Sequence, residues 1–294
     1  MIFRLPSLST FSIVGHDPQA EEWGVAVQSK FLAVGAVVPW ATAGVGAVAT
    51  QSYANTSFGP DGLALMAQGL SAGQALDQLI ATDEGRARRQ VGLVDAQGQA
   101  ATFTGDECHA WAGGMAATHY AAQGNILVSG ATVEAMARTF EGARGELADR
   151  LVAALAAGQA AGGDRRGKQS AAVLVVRAAG GYSGHNDRYM DLRVDDDPAP
   201  IERLKALVDL HHLFFRPPTP GEMVAIEGEL AREVQHILQW AGYYDGSVTG
   251  AYDAPTRKAF RALIGNENFE ERYDEEKGLI SDQVMDLLRR KFSG

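Results

Sequence analysis

Short apolar runs dominate the beginning of the chain and predict a block of β-strands. The runs Thr10–Gly15 (TFSIVG) and Trp23–Lys30 (WGVAVQSK) are joined by a polar turn, as in a β-hairpin. The stretches Ala33–Val38 and Val45–Gln51 continue this strand pattern. Apolar residues then recur at helical spacing across Leu63–Ala81, which predicts a helix after the strands.

The same two patterns return further along the chain, and their order indicates the fold class. The turn Asp95–Gly98 (DAQG) between two apolar runs predicts a β-hairpin over residues 89–104. The remaining elements are two helices, two strands and a third helix, at Thr132–Glu141, Leu147–Ala161, Ser170–Arg177, Tyr189–Val194 and Pro200–Phe215. Strands grouped in blocks between helices favour an α+β protein with helices layered on antiparallel or mixed sheets.

A proline-rich segment divides the chain. Arg216–Gly221 (RPPTPG) interrupts the helical pattern, and such runs are typical of linkers. Three segments with the apolar spacing of a helix follow it, at Glu229–Ala241, Ala254–Leu263 and Ser281–Phe292. We therefore predict a first domain at 1–215, a linker at 216–224 and a small all-α domain at 225–294.

Composition and charge narrow the possible partners. The 294 residues include 36 Asp and Glu against 26 Lys and Arg, which gives a formal net charge of −10. This acidic balance argues against nucleic acid and anionic membranes as partners. The single cysteine, Cys108, excludes an intramolecular disulfide and a multi-cysteine zinc site. The histidines show no metal-ligand spacing, so we expect no metal and no cofactor.

The chain shows no targeting or membrane signal. Met1–Ser9 (MIFRLPSLS) lacks the apolar core of a signal peptide. No run approaches the roughly 20 apolar residues of a membrane-spanning helix. We therefore expect a cytoplasmic protein that binds a small-molecule or peptide substrate, and we expect it to form a homo-oligomer.

Thr10 and Lys30 are the first candidates for catalysis. Thr10 begins one predicted strand and Lys30 ends the next, so an antiparallel pairing would bring them together. A Thr hydroxyl is a weak nucleophile unless a base takes its proton. At a free chain terminus the α-amine, with an unperturbed pKa of about 7.7–8.0, can be that base, and a nearby ammonium lowers this pKa. The alternative is a β-branched strand residue and a surface lysine.

The chain resembles the DUF1028 family over about residues 10–215. The resemblance lies in the runs TFSIVGHD, WGVAVQSKFLAVGAVVPWATAGVGAVATQSY, QVGLVDAQGQAATFTGDECHAWAGG, GDRRGKQSAAVLVV and GGYSGHNDRYMDLRV, in this order. It implies a four-layer αββα sandwich of the N-terminal nucleophile (Ntn) hydrolases, which would cleave an amide-like bond with Thr10 as nucleophile. Nine residues precede Thr10 here, so only cleavage between Ser9 and Thr10 frees its amine.

Polar residues near these strands are candidates for binding the substrate. The loop Gly163–Ser170 (GDRRGKQS) concentrates positive charge in an acidic protein, which suits a substrate carboxylate or phosphate. The alternative for this loop is ion pairing with a neighbouring subunit. Asp191 and Arg193 alternate along one strand, so they can pair with each other or with the loop. The candidates of the first domain are Ser29, Ser52, Asp164, Arg166, Gln169, Asp191 and Arg193.

The C-terminal region resembles a peptidoglycan-binding domain. The resemblance lies in REVQHILQWAGYYDGSVTGAYDAPTRKAFRALIG, where a helix, a Gly-Tyr-Tyr-Asp-Gly turn and a second helix follow one another. An alternative is a three-helix bundle whose core contains the aromatic residues, among them Trp240 and Phe260. A cell-wall ligand also requires export, for which the sequence shows no signal. The candidates for binding sugar or peptide are Tyr243, Tyr244, Asp245 and Tyr252.

Two functions are compatible with these features. The first is an Ntn-type amidohydrolase in which Thr10 attacks a carbonyl, Lys30 tunes the base, and backbone N–H groups stabilise the oxyanion. The second is a non-catalytic binding protein that uses the sandwich as a scaffold for a cell-wall or small amide ligand. Whether the amine of Thr10 becomes free distinguishes the two.

Overall fold

The structure, a computed structural model, describes residues 10–292. Its contacts divide the chain into two compact units between Val208 and Asp209. This division lies inside the helix Pro200–Phe215, ahead of the predicted boundary at 215. The guanidinium of Arg272 in the second unit donates to two carbonyls in the last turns of that helix, at 2.5 and 2.6 Å. The end of the helix therefore belongs to the second unit.

The larger sheet of the first unit has six antiparallel strands. Their spatial order is β10 (Arg188–Val194), β9 (Ser170–Val176), β2 (Glu22–Ser29), β1 (Thr10–Asp17), β8 (Tyr120–Asn125) and β7 (Gly113–Ala117). Strand β1 pairs with β2 on one side and with β8 on the other. The strand that begins with Thr10 is therefore an interior strand.

The second sheet of this unit has four antiparallel strands. Their spatial order is β3 (Pro39–Thr42), β4 (Gly46–Ser52), β5 (Arg89–Asp95) and β6 (Ala100–Thr104). Strands β5 and β6 pair as the predicted hairpin, which is thereby confirmed. The Asp95 carboxylate accepts the backbone N–H groups of Gln97 and Gln99 inside the turn, at 3.0 and 2.9 Å. Gly98 adopts a φ of +77°, a conformation that favours glycine.

Three apolar clusters hold the first unit together, one between the sheets and one on each outer face. The cluster between the sheets contains Val25 of β2 and Ala49 of β4. The outer face of the larger sheet is covered by α3 (Ala131–Gly142), α4 (Leu147–Ala160) and the first part of α5 (Pro200–Phe215). The outer face of the smaller sheet is covered by α1 (Phe58–Ala67) and α2 (Ala72–Thr82). The unit is thus a mixed α/β structure.

Alternation along β1 decides which side chains lie between the sheets. Phe11 and Ile13 belong to the cluster that contains α3 and α4, whereas Val14 belongs to the cluster between the sheets. Successive side chains of a strand point to opposite faces, so Thr10 and Ser12 share the face of Val14. The polar residues at the start of β1 are therefore enclosed between the two sheets.

The second unit is mainly helical and also contains a small sheet. Its helices are α6 (Gly228–Trp240), α7 (Ala254–Asn266) and α8 (Asp282–Phe292). Three short antiparallel strands form the sheet, in the order β11 (Met223–Ala225), β13 (Leu279–Ser281) and β12 (Tyr273–Asp274). The prediction of an all-α domain is wrong in this respect, because strands of two or three residues carry too little alternation to be recognised in a sequence.

The segment predicted as a linker, 216–224, has ordered structure of its own. Its last two residues, Met223 and Val224, begin β11, which pairs with β13. The Arg216 guanidinium donates to the Glu222 carboxylate at 2.5 Å, and the same carboxylate accepts the backbone N–H of Thr219 at 2.7 Å. Hydrogen bonds therefore order a stretch that composition alone marks as a break.

The eight helices of residues 10–292 range from 10 residues in α1 to 16 in α5. None of these helices combines the length and the apolar character that crossing a membrane requires.

Candidate functional site

Thr10 lies at the start of an interior strand, on the face that looks toward the second sheet. Its side chain is fully buried, and its Oγ1 donates to the Oγ of Ser29 at 3.2 Å. The contact follows from the register, which places Thr10 opposite Ser29 on one side and opposite Asn125 on the other. The candidate nucleophile therefore has a serine hydroxyl as a hydrogen-bond partner.

A network of buried amide side chains fills the interior next to Thr10. Gln51 donates from Nε2 to the Oε1 of Gln90 at 2.8 Å and to the backbone carbonyl of Thr10 at 3.4 Å. Ser12 donates to the Oε1 of Gln51 at 2.6 Å and accepts from the Nε2 of Gln123 at 2.7 Å. Buried amides are costly unless their hydrogen bonds are satisfied. The network therefore fixes β1 against the second sheet.

Gln123 reaches this network because Gly92 of β5 has no side chain. A Cβ placed on Gly92 would lie 2.1 Å from the Oε1 of Gln123, so any other residue would displace the amide. The three glutamines cannot be identified from the sequence, since a single polar residue in an apolar strand carries no pattern of its own. Only the pairing of the strands brings them together.

Lys30 follows Ser29 and is held by Asp164. The backbone N–H of Lys30 donates to the Oδ2 of Asp164 at 2.9 Å, and its ammonium donates to the carbonyl of Lys168 at 3.4 Å. The side chain of Lys30 lies in an exposed position. The paired strands bring Thr10 and Lys30 to the same end of the sheet, but the hydroxyl of Thr10 contacts Ser29, and the ammonium of Lys30 contacts the basic loop.

Asp164 anchors the basic loop 163–170 beside the end of β2. Its buried carboxylate accepts the backbone N–H of Arg166 at 2.8 Å and pairs with the Arg166 guanidinium at 3.3 Å. Asp164 also forms an isolated β-bridge with Leu127. The loop therefore lies at the Thr10 end of the sheet, and the side chain of Arg166 is one-third exposed there.

Of the other substrate-binding candidates near the larger sheet, one lies close to Thr10 and two lie far from it. Gln169 donates its backbone N–H to the carbonyl of Ser29 at 3.0 Å, so it lies at the Thr10 end. Asp191 and Arg193 bind each other at 2.9 Å on β10. Strand β10 is three strands away from β1, or about 14 Å at the usual strand spacing. The structure therefore leaves Asp191 and Arg193 at the far edge of the sheet.

Ser52 and Cys108 form a separate contact at the end of β4. The Sγ of Cys108 donates to the Ser52 Oγ at 3.5 Å and to the carbonyl of Arg89 at 3.3 Å. Burial raises the pKa of the Cys108 thiol, so the thiol stays protonated and is a poor nucleophile. Ser52 thus accepts a hydrogen bond from a structural thiol, and the neighbouring His109 packs its ring against Tyr53.

Two histidines that are far apart in the sequence meet in the structure. The Nδ1 atoms of His16 and His119 lie 3.1 Å apart, and the His16 ring stacks on Trp23 with centroids 4.9 Å apart. Burial, and after it the charge of His119, lowers the pKa of His16. The residues lie 103 positions apart, and only the register of β1 and β8 reveals their contact. Within residues 10–292 no group of three or more potential ligands is placed to hold a metal ion.

The tyrosines proposed for glycan binding in the second unit mostly serve its core. The hydroxyls of Tyr252 and Tyr273 are hydrogen-bonded, and burial raises the pKa of Tyr252. Tyr243 and Tyr244 are partly buried against the core, and Asp245, which follows them in the sequence, is exposed. Phe260 is fully buried as predicted for a helical core. Trp240 is not, because 60% of its surface is exposed.

Comparisons with known proteins match each unit to a family model. The model of DUF1028, described as a family of unknown function, matches residues 10–204. A model described as "Putative peptidoglycan binding domain" matches residues 213–288. A search of curated proteins found no match.

The chain is also similar to solved structures. One is the crystal structure of protein SPO2555 from Silicibacter pomeroyi, which is assigned to DUF1028. The two sequences are 32% identical, the TM-score is 0.63, and the alignment covers 70% of this chain and 90% of that chain. Since the family model matches well over half of the sequence, the chain belongs to the DUF1028 family, whose function is unknown.

Proposed function

We propose that the first unit is an Ntn-type amidohydrolase with an αββα sandwich fold. Helices cover the outer face of each of its two sheets, which supports this fold. The observation that carries the proposal is the position of Thr10, the first residue of an interior strand, with its hydroxyl bonded to Ser29 at 3.2 Å. A nucleophile of this kind must be the first residue of the processed chain, because its own free amine has to act as the base.

The proposed reaction begins with the exposure of that amine. Hydrolysis of the Ser9–Thr10 peptide bond consumes one water and leaves a carboxylate on Ser9 and a free amine on Thr10. The amine takes the hydroxyl proton while the Thr10 oxygen adds to the substrate carbonyl. Collapse of the tetrahedral intermediate expels the leaving amine, which takes up the proton, and leaves an ester. Water then hydrolyses this ester and restores the hydroxyl.

The charges near the strand end support the role of Thr10. The two cations Lys30 and Arg166 lie at this end of the sheet against the single carboxylate of Asp164. The remaining positive charge lowers the pKa of an amine, so that more of it is free to accept a proton at neutral pH. Arg166 is partly exposed, and a guanidinium binds a carboxylate through two parallel hydrogen bonds. We therefore propose a substrate in which the amide-like bond stands near a carboxylate.

Freeing Thr10 on demand tests this function. Residues 1–9 are replaced by a segment that a specific protease removes, so that the chain then starts at Thr10. The cleaved chain should hydrolyse members of a panel of N-acyl amino acids and short peptides, whereas the uncleaved chain and the cleaved Thr10→Ala variant should stay at background. Equal rates for the cleaved chain and for Thr10→Ala would overturn the assignment of Thr10.

The alternative function is non-catalytic binding on the same scaffold. It is favoured by one observation: in this sequence the amine of Thr10 is part of a peptide bond with Ser9. The intact mass of the protein isolated from cells separates the two functions. Loss of residues 1–9 supports the hydrolase, and their full retention supports the binding protein.

For the second unit we propose binding to peptidoglycan. The match of residues 213–288 to a peptidoglycan-binding family carries this proposal. The full chain should co-sediment with purified sacculi, and a chain that stays in the supernatant would overturn it.

A further inference from the structure

A groove runs between α6 and α8 on the surface of the second unit. It has a volume of about 620 Å³. Its walls combine aromatic, amide and charged side chains: Arg232, His236, Gln239 and Trp240 from α6, and Arg289 and Phe292 from α8. Most of the wall on α6 lies opposite the buried Val234 and Leu238, and the buried core residue Ile237 also lines the groove. Tyr252 is not among the lining residues.

Trp240 forms an aromatic platform at this groove. Its side chain is 60% exposed, an unusual state for the largest apolar side chain. The ring of Phe292 meets it edge-on, with centroids 5.7 Å apart and an angle of 65° between the planes, which supports one side of the indole. An exposed indole beside a groove with polar walls offers a flat apolar face to a ligand.

The charged side chains of the groove neutralise one another. Arg232 pairs with Glu229 at 2.7 Å, and Arg289 holds the two oxygens of Glu233 at 2.7 and 3.0 Å. Arg289 also binds Asp286 at 2.7 Å. A groove whose cations are occupied by its own carboxylates offers no strong field to an ionic ligand, and therefore suits an uncharged one.

The polar groups beside Trp240 suit hydroxyl and acetamido groups. His236 and Gln239 are exposed on the same face of α6. The Nε2 of Gln239 donates to the carbonyl of Gly246 at 2.8 Å, which fixes the orientation of the amide at the rim. Flat aromatic surface together with a few oriented polar groups is the combination by which a concave site recognises a small ligand.

We propose that this groove binds the glycan strand of peptidoglycan, an uncharged chain of N-acetylated amino sugars, with Trp240 stacked on a sugar ring. The proposal rests on the proposed peptidoglycan binding of the second unit and deepens it. It replaces the predicted tyrosines by Trp240 as the main contact. The proposal also excludes the stem peptides as the ligand of this groove, because their carboxylates would need a free cation.

The experiment compares the full chain with two variants, Trp240→Ala and Phe215→Ala. Phe215 is the matched control, because it is an aromatic residue of the same unit that is 58% exposed and lies outside the groove. Binding is measured by co-sedimentation with sacculi, and with chitin, an uncharged polymer of N-acetylglucosamine that carries no peptide. We expect Trp240→Ala to weaken both at least tenfold, and Phe215→Ala to change neither.

The outcomes distinguish the two levels of the proposal. If the unchanged protein fails to sediment with sacculi, peptidoglycan binding itself fails. If it sediments and Trp240→Ala sediments equally well, the groove is not the site, while peptidoglycan binding stands. If binding to sacculi depends on Trp240 but the protein does not bind chitin, the occupant is not the uncharged glycan. A Trp240→Phe variant, which keeps an aromatic face, should retain most of the affinity and rules out misfolding as the cause of a loss.

Discussion

The hydroxyl oxygens of Thr10 and Ser29 lie 3.2 Å apart on neighbouring strands, both fully buried between the two sheets. This hydrogen bond orients the oxygen that would act as nucleophile. Replacing Ser29 by Ala should therefore lower kcat of the cleaved chain toward the amide substrates more than it changes KM. The lost hydrogen bond should also lower the free energy of unfolding by about 1 kcal/mol.

The matched control for Ser29→Ala is Thr118→Ala, which removes an exposed hydroxyl from the same unit. Chemical denaturation and steady-state kinetics on both variants check the prediction. Equal kcat values for Ser29→Ala and the unchanged chain would show that Ser29 does not orient the nucleophile.

Gln90 holds the centre of the amide network, so its loss should be costly. Its Oε1 accepts from Gln51 at 2.8 Å and from Asn125 at 2.9 Å. Gln90→Leu keeps the volume of the side chain but removes one acceptor from each of two buried donors. Each unsatisfied group costs about 1–3 kcal/mol, so we expect the variant to lower the free energy of unfolding by about 3 kcal/mol. Urea unfolding measures the change.

Gln28 on β2, in the larger sheet, provides the opposite case. It is fully buried, and among residues 10–292 neither its Nε2 nor its Oε1 has a hydrogen-bond partner. Since no bond is lost when it is replaced, Gln28→Met should be neutral or should stabilise the protein by about 1 kcal/mol. A destabilisation as large as that of Gln90→Leu would mean that Gln28 makes hydrogen bonds in solution.

The pair His16 and His119 should make stability depend on pH. The pKa of His16 is lowered by burial and by His119, while Asp17 and Asp95 oppose this shift. Below the unfolded pKa of about 6.5, the unfolded chain binds a proton that the folded chain does not. The stability that the neutral His16 contributes is therefore fully present above that pH. It is lost as the pH falls through the lowered pKa of His16 in the folded state.

The variant His16→Gln should flatten this dependence. We expect the free energy of unfolding to fall less between pH 7.5 and 5 in His16→Gln than in the unchanged chain. The exposed His185, replaced in the same way, serves as the control. Parallel curves for the unchanged chain and His16→Gln would show that the pair does not govern the acid response.

Asp164 should control the order of the basic loop. Its carboxylate accepts from the backbone of Lys30 and of Arg166, and an amide in its place offers only one acceptor oxygen. Asp164→Asn should therefore speed hydrogen exchange at the amide of Lys30 and destabilise the unit by about 1–3 kcal/mol. The control is Asp196→Asn, because Asp196 is exposed and binds only the side chain of Gln169 among the contacts described. The same effect in this variant would show that the loss of any carboxylate produces it.

The sequence predicted those parts of the molecule that depend on local patterns. Apolar runs located strands such as β1 and β2, and the DAQG turn located the hairpin of β5 and β6. It missed the small sheet of the second unit, whose strands are two or three residues long. Their pairing is decided by the packing around them and not by their own residues.

In the candidate site too, local patterns could be predicted from the sequence, whereas contacts between distant residues could not. Thr10 could be named from its place at the beginning of a strand, and the loop of Asp164 and Arg166 from its charge. The partners of these residues depend on strand register and on contacts between residues far apart in sequence. Ser29 therefore replaces Lys30 as the contact of the Thr10 hydroxyl, and Trp240 proves exposed although its residue type suggests a core position.

The interlocked glutamines between the sheets also constrain how this family can diverge. Gln51 and Gln90 bind each other directly, and Gln123 reaches Gln51 through the Ser12 hydroxyl. Gly92 leaves the space that Gln123 occupies. A single substitution at one of these positions passes through a less stable intermediate, whereas a joint exchange to apolar residues need not. Across homologues Gln51, Gln90, Gln123 and Gly92 should therefore be inherited as a set and replaced as a set, so that an alignment would show them as correlated columns.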